Sequence, residues 1–343
     1  MTTDTLALAA LAAAAGLLLH WLPRWRRQGL WFGVTVPVGF AETPVGRRAL
    51  HRYRIALWTL TGLAVAGIAA ARPIGRVWLV PAALLLQVLG ASAAFAVVRR
   101  DVLAHAGPAP ATRSAVLMAT HEGLPGGPAS VLVPLGLIAA TAAYLRAMWL
   151  ELPARIPVHW TLDGTADRWV DRTPLHVYGQ LVVLAALAAF QLVLAELIIH
   201  RSPRGRVAGT EEWTTRFRRA NLVLLVAGTW GVTAMICALS LLPLIAPGSA
   251  VTRLVWIVPL AFVATLVPFL WQVIRLTRDR ASGSDGTPDA CWKFGLIYVN
   301  RDDAAIFVEK RFGVGYTLNF GHPGLVWILV AGVLVVLVAH LVS

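Results

Sequence analysis

The chain has 343 residues, of which 58% are hydrophobic and only 14% charged, with a net charge of +13. A soluble domain carries about 25% charged residues, so this composition excludes an ordinary soluble fold of two or so domains. The basic excess does not read as a nucleic-acid footprint either, because the arginines punctuate apolar runs as the flanks of membrane helices do.

A membrane helix needs about 20 mostly apolar residues. Eight runs approach that length: Thr5–Leu22, Ile55–Ala71, Val77–Val98, Val131–Leu150, Leu175–Ile199, Asn221–Leu242, Leu254–Ile274 and Gly324–Val342. The first lacks the leading positive charge of a signal peptide and is followed by Arg24, Arg26 and Arg27, so we expect a retained helix with its N-terminus outside. The odd-numbered loops (Pro23–Arg54, Arg99–Ser130, His200–Ala220 and Arg275–Pro323) hold 23 of the 30 Lys and Arg. Cytoplasmic loops carry that excess. The expectation is therefore an all-α polytopic membrane protein of about eight transmembrane helices, with both termini extracytoplasmic and a small cytoplasmic β-rich insertion before the last helix. Its parts are an N-terminal membrane region over 1–130, a helix pair with its loop over 131–200 and two further helices over 201–274. A β-rich segment over 275–323 and a final helix over 324–343 complete it.

Charges inside the spans are few. Glu196 lies one turn before His200, near an interface where it can reach water or Arg201, and Gln87, Gln180 and Gln191 are neutral. Intramembrane charge usually marks ion or substrate pathways, so its scarcity weighs against a transporter. Matched, broken helices in two halves are also not evident. Pro243, Pro259 and Pro268 read as tolerated kinks. For an enzyme, the second histidine of HExxH is missing after His121-Glu122, and neither GxSxG nor a phosphate loop occurs. Cys237 lies in an apolar run and Cys291 in a polar segment, which gives no legible disulfide framework or zinc site. No cofactor or metal is expected.

Three polar segments remain. Trp31–Pro37 is followed by the basic stretch Arg47–Arg54 and is extended before Pro37. The basic stretch reads as a topogenic signal that also holds anionic lipid. The loop Glu151–Arg172 is ordered by Pro153, Pro157 and the Asp163-Gly164 turn. In it, His159, Asp163, Gly164, Asp167 and Arg172 are candidate binding residues. His159, Asp163, Asp167 and Asp171 recur every fourth residue, but Gly164 and the prolines argue against a helix that would align them. They form either a ligand- or pH-responsive cluster, since histidine is the side chain that switches charge near neutral pH, or hydrogen bonds that only tie the loop together. In the last segment, Ile297–Val299, Ile306–Val308 and Tyr316–Phe320 are short β-like runs, with turns at Asn300–Asp303 and Gly313–Gly315.

The run Leu152-Pro153-x-x-Ile156-Pro157-x-His159, then Gly164-x-x-Asp167-x-Trp169-x-x-Arg172, resembles domain-of-unknown-function family 1648. That domain also forms the N-terminal part of the SdpI-type immunity proteins, which protect cells from a secreted toxin. Thr161 and Arg172 stand where that family tends to have Asn and Lys. The last polar segment resembles domain-of-unknown-function family 5808 through Asn300-x-Asp302-Asp303, Phe307-Val308-x-Lys310-Arg311 and Gly315-Tyr-Thr-Leu-Asn319-Phe320, with Arg301 in place of the usual Pro. Asn300, Asp302, Lys310, Arg311 and Asn319 are thereby candidates for a cytoplasmic patch. The resemblance implies a membrane sensor, regulator or immunity protein of the bacterial cell membrane. Its partners would be the bilayer and a peptide toxin or cytoplasmic regulator; a small-solute transporter or intramembrane enzyme is the alternative.

Isolated hairpins are marginal in water. Ile297–Phe320 is therefore expected to pack against Trp31–Pro37, as an added strand or otherwise, and to use the arginines near Arg48. The alternative is that Trp31–Pro37 lies in the lipid interface.

Overall fold

The computed structural model describes residues 3–25, 28–71, 73–107, 123–161, 165–203, 210–245, 249–278 and 285–341. Among these there are eight α-helices: α1 Thr3–Trp21, α2 Pro44–Ala71, α3 Leu79–Leu103, α4 Ala129–Ala147, α5 Pro174–Arg201, α6 Glu211–Ile245, α7 Ser249–Arg278 and α8 Leu325–Leu341. The first seven are long and apolar enough to cross a bilayer, which makes the chain a multi-pass membrane protein. Helix α8 is as apolar but has 17 residues, a length of about 26 Å at 1.5 Å per residue. Prolines 134, 243, 259 and 268 lie inside helices that continue through them.

Among the described residues, four antiparallel two-stranded hairpins join the helices: β1 Leu30–Trp31 with β2 Val34–Thr35, β3 Arg155–Trp160 with β4 Ala166–Asp171, β5 Trp292–Lys293 with β6 Ile297–Tyr298, and β7 Phe307–Glu309 with β8 Tyr316–Leu318. Strands β6 and β8 touch through a single parallel bridge, Tyr298 to Asn319. The chain divides into two compact units.

The first unit comprises Met1–Val116, Pro203–Thr214 and Ile274–His322. Its helices α1, α2 and α3 close on a seam of the small residues Ala12, Ala64 and Ala83, with Ile68 beside them. Small side chains let backbones approach where lipid supplies no hydrophobic drive. Buried Gln87 ties the three together by donating to the Ala12 carbonyl at 2.8 Å and to Thr61 Oγ1 at 3.0 Å. At one end of these helices an aromatic cluster gathers Trp31, Phe32, Tyr53 and Phe95, with Leu296 and Phe312 against it. Phe32 and Gly33, at the β1–β2 turn, both have positive φ (47° and 70°), the pattern of a type I′ hairpin. Phe32 holds this rare conformation because its ring is wedged between Tyr53 (centroids 5.6 Å apart) and Phe95 (5.2 Å).

The second unit comprises Leu117–Ser202, Thr215–Val273 and Pro323–Ser343. Its core of Leu145, Leu152, Ile156, Val177, Leu181, Leu184 and Cys237 joins the β3–β4 hairpin to α4, α5 and α6.

Several sequence expectations change. Arg47–Arg54 is not a loop but the first turns of α2, and α3 runs on to Leu103, which carries Arg99 into a buried helical position. Trp31–Pro37 does contact the Ile297–Phe320 region, with Arg311 Nη1 donating to the Gly33 carbonyl at 2.9 Å. It adds no strand, however. It pairs with itself as β1–β2, because the positive φ at Phe32 and Gly33 turns the chain back at once. The arginine beside it, besides Arg311, is Arg99, whereas Arg48 Nε donates to the Pro44 carbonyl one turn back in its own helix.

Candidate functional site

The β3–β4 hairpin grows out of the end of α4. Its base is clamped by Arg172, whose Nη1 donates to the carbonyls of Trp149 (2.9 Å) and Leu152 (2.5 Å) while the guanidinium lies over the Trp149 ring. Both carbonyls lie in the turn that follows α4, and a permanently charged donor there satisfies them together. Further out, a register shift at Pro157–Trp160 turns His159 so that its Nδ1 meets Asp167 Oδ1 at 2.6 Å. The pair is open to solvent, with side-chain exposures of 64% and 45%. Thr161 and Thr165 join across the hairpin through their hydroxyls at 2.6 Å.

Beneath the hairpin, the second unit holds two adjoining cavities of about 450 and 220 Å³. Val158, His176, Gln180 and Ile236 belong to the walls of both, and Arg168 to the larger. The rest of the larger lining is aliphatic, from β4, α5, α6 and the end of α8. His176 is oriented by the Asp171 carbonyl, 2.8 Å from its Nδ1. Thr173 caps α5 by accepting from the His176 amide at 3.2 Å.

A second polar centre lies in the first unit. Buried Arg311 forks onto Asp285, Nε to Oδ2 at 2.7 Å and Nη2 to Oδ1 at 2.9 Å, and also pairs with Asp289. Its Nη1 and Nη2 reach the Gly33 and Thr287 carbonyls. Asp289 accepts in turn from the Thr35 amide and hydroxyl, at 3.2 and 3.0 Å. From α3, Arg99 donates to the Gly33 carbonyl at 2.6 Å and to the Asp289 and Trp292 carbonyls at 3.2 Å. Burial alone would raise the Asp285 carboxyl. The Arg311 charge, with hydrogen bonds from Arg311 and Thr287, outweighs it and holds the group well below the usual carboxylate range. For Arg311, burial opposes the charge, but the Asp285 and Asp289 carboxylates keep it above its ordinary value. A buried ion pair survives only when its remaining donors and acceptors are met, and here the carbonyls and Thr287 meet them.

The structure thus brings together His159 and Asp167 and places Arg172 at the hairpin base, while Asp163 and Gly164 lie outside the described residues. In the other segment, Asn319 is fully buried. It accepts from the Asn300 and Gly321 amides and donates to the Asn300, Asp303 and Ala305 carbonyls. Asn300 turns the chain by accepting from the Asp302 amide at 3.0 Å. Lys310 and Asp302 are exposed. Sequence reasoning missed Arg99, Asp285, Asp289, Arg168 and His176. The only available signal for the last was its place in the first turn after Thr173-Pro174.

The family model described as a domain of unknown function, DUF1648, matches residues 136–178, from α4 through the hairpin into α5. The family of unknown function DUF5808 matches residues 301–327. Both resemblances read from the motifs are borne out. No curated protein and no solved structure matches the chain.

Proposed function

We propose that this chain is a non-catalytic sensor or protective protein of the bacterial cell membrane that engages an amphipathic molecule beneath the β3–β4 hairpin. The observation that supports this reading best is the placement of Arg168, His176 and Gln180 in the wall of an otherwise aliphatic cavity of about 450 Å³. Small-molecule sites of roughly 300–1,000 Å³ have this form, apolar walls with a few orienting polar groups. Such walls suit a ligand with an apolar body and an acidic or hydrogen-bonding head, which is what a membrane-inserted toxin or lipid-like signal presents. The likeness of the hairpin region to the toxin-immunity proteins supports the protective form of the reading, as an analogy at the level of one domain.

In this reading α8 completes eight crossings, with both termini and the hairpin outside. The Arg311 centre is then cytoplasmic together with the odd loops, and the exposed Arg47, Arg48 and Arg52 lie against anionic lipid. The exposed rim of that centre, Asp302 and Lys310, is the surface offered to a cytoplasmic regulator.

Photolabelling tests the cavity. Full-length protein in nanodiscs is irradiated with a diazirine-bearing palmitate. Label is expected to concentrate in residues 158–187 and to drop in Arg168→Gln and Gln180→Leu. Label spread evenly over the lipid-facing helices and indifferent to both substitutions contradicts the proposal.

A further inference from the structure

A separate observation concerns the junction of α1 and α2 in the first unit. The two helices run antiparallel, and their register can be read from contacts. Gly16 lies against Thr61, where an added Cβ would meet the threonine Oγ1 at 2.7 Å. One turn on, Trp58 Nε1 donates to His20 Nδ1 at 3.1 Å. The next turn sets Arg24 against Arg54, and the two guanidiniums and His20 are within electrostatic range of one another. Arg54 is half-buried, and its Nε and Nη2 are fully covered with no hydrogen-bond partner. Arg24 lies over the Trp21 ring at 4.4 Å.

Two like charges facing each other, one with covered and unpaired donors, are costly as they stand. No described carboxylate is shown between them. Asp101 is taken by Arg52, and Glu42 lines a neighbouring cavity of about 770 Å³ whose wall also includes Arg24, Gln28 and Arg278. An anion at this point would satisfy both guanidiniums. Its surroundings indicate the source. Trp21 and Trp58 are 45% and 39% exposed, and Leu17, Leu18 and Ile55 beside them are more than half exposed. Arg54 is the last charged residue before the apolar run of α2. That is the composition of a headgroup-level interface, with aromatic rings at the boundary and aliphatic surface below.

We infer that Arg24, Arg54 and His20, framed by Trp21 and Trp58, hold the phosphate of an anionic phospholipid. The acyl chains lie along Leu17, Leu18 and Ile55, and the polar headgroup has room in the adjoining cavity. The bidentate donor geometry of arginine suits phosphate. This site is independent of the cavity beneath the hairpin, and its failure would leave that reading untouched.

The test is thermal unfolding of the full-length protein in neutral detergent, titrated with phosphatidylglycerol, phosphatidylcholine or inorganic phosphate. Phosphatidylglycerol is expected to raise the midpoint most. Arg24→Gln and Arg54→Gln should each weaken its apparent affinity about fivefold, the worth of one basic residue at a membrane surface, and Arg54→Lys should recover part of the loss. In lipid-free detergent, Arg54→Gln should unfold no earlier than the parent, because it removes an unpaired charge. Three results would each overturn the inference. They are equal phosphatidylglycerol responses in parent and variants, a full response to millimolar inorganic phosphate alone, and early unfolding of lipid-free Arg54→Gln.

Discussion

Arg311 illustrates how a charged side chain becomes structural. Its five donors are spent on Asp285, Asp289, Thr287 and Gly33, drawn from segments more than 250 residues apart. Removing it leaves buried Asp285 without its cation and Asp289 with only Arg99 nearby. Arg311→Ala is therefore expected to destabilise this end of the first unit by about 3–5 kcal/mol, read as rapid amide exchange over residues 285–320. Wild-type exchange in the variant would disprove the role. The pH dependence follows from the depressed Asp285 carboxyl. A group whose folded value lies below its unfolded value stabilises above the unfolded value and loses that contribution as pH falls toward the folded one. The centre should thus hold through neutral and mildly acid pH and loosen only below the usual carboxylate range. Arg311 itself, raised and always charged, adds no window. Little of this was legible in the sequence. Arg311 and Asn319 stood out through their motif, but Arg99 read as one more topogenic arginine. Asp285 and Asp289 had no local pattern, since their partner lies 26 and 22 residues away in an irregular segment.

At the scale of elements, the apolar runs located the eight described helices, seven of which are long and apolar enough to cross a bilayer. Their ends were less legible. Helix α2 begins at Pro44, well before the apolar run, since Arg47, Arg48 and Arg52 are good helix formers that simply leave the hydrocarbon. The hairpins were harder still. β1–β2 and β5 are two residues long per strand, and their turns depend on contacts made by other segments. Gly33 and Gly295 meet tip to tip. A Cβ on Gly33 would lie 2.8 Å from the Gly295 carbonyl oxygen, and φ is positive at both. Gly33→Val should therefore cost about 1–3 kcal/mol, seen as a lower unfolding midpoint, and an unchanged midpoint would show that the turns do not abut. The Glu151–Arg172 excursion was recognisable as ordered, but its strands were not, and the Asp163-Gly164 turn lies outside the described residues. The strands' alternation is broken by Pro157 and by register shifts on either side of His159. Arg172→Leu keeps an apolar stem and removes the donor that serves both the Trp149 and Leu152 carbonyls. Amide exchange in Arg155–Trp160 should quicken at least about tenfold, the rate equivalent of one lost charge-assisted hydrogen bond. Unaltered exchange would mean that the clamp does not hold the hairpin.

For the whole molecule, the account turns on sidedness. In the first unit, the β1–β2 hairpin, Arg99 near the end of α3, and the Asp285–Asn319 segment are joined by direct hydrogen bonds, so they share one face of the membrane. The proposed topology makes that face cytoplasmic and puts the β3–β4 hairpin on the other, where it can meet a molecule arriving from outside. Labelling single cysteines with an impermeant maleimide is the most direct test. In a background of Cys237→Ala and Cys291→Ser, Thr165→Cys and Asp302→Cys each introduce one thiol at an exposed position. The account predicts that Thr165→Cys is labelled in intact cells and Asp302→Cys only after lysis. Labelling of Asp302→Cys in intact cells with protection of Thr165→Cys would contradict it.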